Sequence, residues 1–371
     1  MVGLHNIHRY QEIEFSKRIL VFVGGQVAFS CRRDHWREDM VEDQDQSSES
    51  NTVSDPNDMR GLENIIGAYS GRSLSHHQDI YKALAGFTRY FRTKMKVILC
   101  HGIPDKYFDW HLLWRPVYPH TRRPYTPSWS WSGWEGKSSL QIGQWYVNSI
   151  TDIEAALRKR TWIIWYERKA HNSKECNRIC NPDAGRSSYS RRPRNSYGGH
   201  VQDRFAPLDC TQTAPTSRTL MDANPPTYTK DVFHPNPGSG FLQFWTVSVT
   251  FKVAEATSPL DPLSTFAWKP NPLVTKCTQL DIFGKKGRKV GFIFSDQDWC
   301  KDHVPKNHEF ILLCEARDRS EDGLGWGYMI MLIKWHTSGK WAERVTVGWI
   351  QKHQWKQGLG NGAVWKEIVL G

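Results

Sequence analysis

At 371 residues the chain is long enough for one large domain or two ordinary ones, and its 39% hydrophobic content with 18 Trp gives material for a packed core. A net charge of +11 raises the question of nucleic acid or an acidic membrane surface. The charge is spread, with no RNA-binding signature and no Arg-rich arm carrying interleaved rings, so a solvated surface is the preferred reading. The 8 Cys are irregularly spaced behind no export signal, which argues against a secreted disulfide framework and for reduced thiols in the cytoplasm.

In chain order, KRILVFVGGQVAFSC over 17–31 holds two β-rich runs around Gly24-Gly25, a hairpin signal. Its apolar run Ile19 to Val23 is far too short to cross a bilayer. An acidic, Ser-rich stretch with Pro56 follows and reads as a linker over 42–58. A helix is predicted from Asp55-Pro56, with Leu62, Ile65, Ile66 and Tyr69 at helical spacing and Gly71 ending it. Ser75 and Gln78 resemble a capping box for a second helix, whose apolar face is Ile80, Ala83, Leu84, Phe87 and Phe91. A third, short helix is predicted from Asp105 to Trp114. In RRPYTPSWSWSGWEG, Pro124 and Pro127 oppose a helix. Alternating Trp129 and Trp131 predict an extended segment with both rings on one side.

Residues 168–236 are poor in core material and read as a long, irregular, basic insertion. The pattern then becomes β. Trp245, Val247, Val249, Phe251 and Val253 alternate with more polar positions, and LDIFGKKGRKVGFIF predicts a hairpin turning at Gly284 to Gly287. EFILLCEA, YMIMLIKW, RVTVGWI and Trp365 to Leu370 add further strands. The expected fold class is α+β, with a helical and Trp-rich region over 59–167 and an antiparallel sheet or sandwich over 237–371 that packs on the helices of 58–114.

Four blocks carry a family resemblance. They are Arg9 to Trp36, Ala68 to Phe87 (AYSGRSLSHHQDIYKALAGF), His101 to Gly136 (HGIPDKYFDWHLLW, then PSWSWSGWEG), and the closing FILLCEA, MIMLIKW, AERVTVGWI and WKEIVLG. In this order they resemble the C-terminal part of fungal heterokaryon-incompatibility (HET) proteins. The opening blocks of such a domain, like LSYVWG and LWIDALCI, do not occur, so a truncated or degenerate member is expected. The resemblance implies that residues 1–41 are the end of a HET domain, distantly similar to TIR-type α/β domains. It also implies a role in non-self recognition and programmed cell death through a protein partner.

The same resemblance makes Glu12 a candidate for NAD cleavage, set against a helix-start carboxylate bonded to backbone N–H groups; the second reading is preferred. His171, Cys176 and Cys180 are candidate zinc ligands, with His200 or Cys210 as a distant fourth, set against free thiols in a loop. Trp129, Trp131 and Trp134 are candidate binding residues, as a sugar platform or a partner surface, set against core packing; the core reading is preferred. Adjacent His76 and His77 point to different helix faces and do not share a metal. Asp296 and Asp298 read as solvated carboxylates in a turn. No phosphate loop, nucleophile elbow or HExxH occurs, no cofactor is expected, and nucleic-acid binding through the basic 186–204 stretch is the lesser alternative.

Overall fold

The computed structural model describes residues 16–38, 59–139, 163–168, 176–179, 240–256, 277–317, 326–351 and 363–371, apart from short gaps inside these ranges. Within them the fold is α+β, and the strand pairs are almost all antiparallel.

Three strands, β1 (Arg18–Val23), β2 (Gln26–Cys31) and β3 (His35–Arg37), form a small antiparallel sheet. The hairpin at Gly24-Gly25 is present, and Gly25 takes φ 80°, a backbone state that suits Gly in a tight turn. So short a connection can join only antiparallel neighbours. The partial α/β layer expected for residues 1–41 therefore has no counterpart in the described part of that segment.

Helix α1 (Met59–Ser70) buries Ile65, Ile66 and Tyr69, as its spacing predicts. The next helical run is broken at Leu84 into α2 (Ile80–Ala83) and α3 (Ala85–Lys94). Ser75 lies outside the described residues. The turn preceding α2 has His76 at its N-cap with no side-chain cap bond. Short pairs follow: β4 (Leu99–Cys100) with β5 (Ile103–Pro104), β6 (Arg115–Pro116) with β9 (Ser138–Ser139), and β7 (Thr121–Arg122) with β8 (Trp134–Glu135). Of the third predicted helix, α4 spans Phe108–His111.

The large sheet holds β10 (Tyr166–Arg168), β11 (Cys176–Arg178), β12 (Phe241–Glu255), β13 (Cys277–Phe283), β14 (Lys289–Asp296), β15 (Lys306–Arg317), β16 (Trp326–Trp335), β17 (Ala342–Gln351) and β18 (Val364–Leu370). Six of them close a ring, β12–β13–β14–β17–β16–β15 and back to β12, every pair antiparallel. The expected sheet or sandwich is thus a closed barrel-like circuit, which hides sheet edges. β10 and β11 join it ahead of β12, so residues 176–178 are strand where an irregular insertion is predicted.

β12 explains its own sequence pattern. Over Val249 to Val253 buried and exposed residues alternate, giving the period-2 signal. Over Phe241 to Ser248 nearly every residue is buried, because this half is covered on both faces, and the alternation fades. One hydrophobic cluster runs from Ile65 through Trp129 to Leu370, so helices, Trp-rich segment and sheet share one core, with Leu84 and Val249 both inside it.

Candidate functional site

The Trp-rich segment sits where the helices meet the sheet. It is not extended. Ser130 caps a single 3-10 turn, Trp131–Gly133, its hydroxyl oxygen accepting from the Ser132 N–H at 3.1 Å. A local side-chain bond of this kind competes with strand geometry. Trp129 and Trp131 are 0% and 1% exposed, so the core reading preferred for them holds and they offer no partner surface. Each indole N–H finds a carbonyl: Trp129 to Gly240 at 3.1 Å, Trp131 to Gly102 at 3.0 Å, Trp114 to Trp129 at 2.9 Å. Such partners let a large ring be buried without stranding its donor. Trp134 is half-buried, donates to Ser128 O at 2.8 Å, and lies 5.6 Å from the Arg122 guanidinium.

Beside this segment lies a chain of polar groups that no sequence motif announces. His101 Nε2 is 3.2 Å from Glu167 Oε1, and His101 Nδ1 is 2.7 Å from the Tyr81 hydroxyl. The Tyr81 hydroxyl lies 3.2 Å from Ser132 Oγ. His101 has φ 50°, a costly backbone state for a residue with a Cβ. The hydroxyls of Ser130 and Ser132 donate to its carbonyl at 2.6 and 3.0 Å and hold it there.

Three groups around this chain are pushed toward their protonated forms. Burial raises the Tyr81 phenol, burial and then Glu167 raise the Cys100 thiol well above its usual range, and burial lifts the Asp109 carboxyl to about 7. The phenol and the thiol are thereby held as neutral donors, while the Asp109 carboxyl changes charge around neutral pH. The arrangement therefore clamps β10, through Glu167, onto the turn at His101 and the helix at Tyr81.

Asp109 yields a pH test. Its folded value near 7 lies above the ordinary 3.8, so the native state holds more protons between those limits and stability falls as pH rises across that window. Trp165 N–H donates to Oδ1 at 2.7 Å and opposes the shift only in part. Allowing for the part of the residue that meets solvent, the loss from pH 4 to pH 8 is about 2 kcal/mol. Asp109→Asn keeps the acceptor for Trp165 and is expected to flatten the profile in urea titrations. An unchanged slope in that variant would place the proton elsewhere.

The other sequence candidates are not assembled into a site. Glu12, His171, Cys180, His200 and Cys210 lie outside the described residues. Cys176 starts β11. Among the described residues no group of three metal-binding side chains forms, and Cys31, Cys100, Cys300 and Cys314 stand outside any disulfide. His76 and His77 are exposed, and Asp79 pairs with Lys82 at 2.9 Å. Asp296 is no turn carboxylate: it caps α5 (Gln297–His303), accepting from the Trp299 N–H at 2.7 Å, while Asp298 pairs with Lys301. No family model, no curated protein and no solved structure matches this chain.

Proposed function

We propose that the chain is a heterokaryon-incompatibility-type protein that works in the cytoplasm by binding a protein partner in non-self recognition and programmed cell death, without catalysing a reaction. The order of the four sequence blocks supports the family. The observation that carries the binding mode is an apolar ladder across the small sheet. Leu20, Phe29 and Trp36 stand in register on one face, next to the pair Phe22 and Val27. Leu20, Phe22 and Trp36 are 55%, 71% and 48% exposed, while Trp129 and Trp131 are consumed by the core. Exposed apolar clusters of this kind mark interaction surfaces. Arg18, exposed two residues before Leu20, falls on the same face, so the partner that fits is an apolar strand or helix with an acid beside it. Among the described residues no helix is long and apolar enough to cross a membrane.

The test has two arms. In a filamentous fungal host, growth arrest on expression should disappear in the double variant Phe22→Asp, Trp36→Asp, whose melting temperature should match that of the wild type. Purified protein incubated with NAD should release no nicotinamide. Growth arrest that survives the double variant refutes the surface. Nicotinamide release that vanishes in Glu12→Ala refutes the non-enzymatic reading.

A further inference from the structure

Four arginines, Arg115, Arg122, Arg123 and Arg344, pack around the Trp-rich segment with little of their surface exposed. Three have their charge or donors answered. Arg122 reaches Glu343 at 3.5 Å and donates to the carbonyls of Thr126 and Gly133 at 2.6 and 3.0 Å. Arg123 donates to the carbonyls of Ser132 and Trp134. Arg344, 1% exposed, donates to the carbonyls of Leu112, Trp129 and Trp114, with its guanidinium 3.8 Å from the Trp114 ring.

Arg115 differs. It is 4% exposed, and neither of its terminal nitrogens has a hydrogen-bond partner. Its guanidinium lies 5.8 Å from the Phe294 ring, which gives a face contact but satisfies no N–H. Among the described residues no carboxylate pairs with Arg115 or with Arg344. The two cations sense each other: after burial, the charge of Arg115 is the next influence pulling the Arg344 guanidinium down. Burial brings Arg115 to about 10, so it stays charged at neutral pH. A buried guanidinium with both terminal nitrogens of its planar fork open is costly unless an anion joins it.

We propose that Arg115, backed by the charge of Arg344, is the anchor of an anion site that takes a phosphate-class dianion. A guanidinium fork matches two oxygens of a phosphoryl group, and the field of Arg344 adds to the attraction that Arg115 exerts on an anion. The backbone carbonyls that hold Arg344 fix its charge in place but leave its donors committed, so Arg115 makes the direct contact.

The probe is inorganic phosphate, added to the full-length protein at constant ionic strength set by chloride. The melting temperature of the wild type should rise with phosphate and saturate at millimolar concentrations, since a ligand that binds the native state stabilises it by mass action. Arg115→Gln should abolish the rise, and without phosphate it should melt at or above the wild type, because it removes an unpaired buried charge. Arg115→Lys, which keeps the charge and loses the fork, should need at least tenfold more phosphate. Glycerol phosphate in a parallel arm separates a free ion from the phosphoryl group of an ester: a matching rise admits esters, and no rise restricts the site to inorganic phosphate. An equal rise with acetate, an equal rise in Arg115→Gln, or a flat wild-type response would overturn the proposal. If Arg115→Gln fails to fold, line broadening of the phosphorus resonance by the wild type and by Arg115→Lys decides in its place.

Discussion

Gly348→Ala is expected to destabilise the protein by about 3 kcal/mol, out of proportion to one added methyl group. Gly348 lies in β17 opposite Ile293 of β14 and Ile330 of β16. A Cβ there would stand 2.4 Å from Ile293 Cγ2 and 2.5 Å from the Phe292 carbonyl oxygen. The carbonyl belongs to the backbone of a neighbouring strand, so relief requires the β14–β17 pair to separate. That pair is held by three residue matches and is a joint of the closed ring. Urea unfolding of the purified variant checks it. A loss under about 1 kcal/mol would mean that β14 and β17 are not paired in this register.

The second large effect concerns the tryptophans. Trp129→Ala should cost about 4 kcal/mol, the upper part of the range for a large aromatic in a packed interior. Its ring is fully enclosed, with Phe108 and His101 at centroid distances of 5.8 and 5.4 Å. Its backbone carbonyl receives the Trp114 indole at 2.9 Å and Arg344 at 3.4 Å, so a shifted backbone at this position disturbs two further side chains. Trp134→Ala, at a half-buried ring with one donor bond, should cost about 1 kcal/mol. Trp129→Phe keeps most of the buried area and loses the bond to Gly240, and should fall between the two. Thermal melts of the three variants decide the matter. Similar costs for Trp129→Ala and Trp134→Ala would contradict the placement of Trp129 as a pillar of the core.

Leu84 and Trp129 show how far sequence reasoning reaches. The helical face that includes Leu84 is legible because a helix repeats every 3.6 residues, and its apolar positions fall in step whatever they pack against. The same holds for Val249, Phe251 and Val253, where a strand with one covered face must alternate. It fails at Phe241 to Ser248, since a strand covered on both faces has no alternation to read. Trp129 and Trp131 mislead for another reason: their spacing suits a strand, but the Ser130 hydroxyl closes a turn between them.

The sequence by itself determined the positions of most strands, the hairpins at Gly24-Gly25 and Gly284 to Gly287, and the burial of the amphipathic helices. These are local properties, set by backbone periodicity and by the few residues that permit tight turns. Only the tertiary structure decided that β12 pairs with β15 to close the ring, that Glu167 meets His101, and that Arg115 is left without an acceptor. Each of these depends on groups far apart in the chain, which approach because one core buries both, and no local spacing encodes which distant side chain fills or leaves empty the place beside a buried charge.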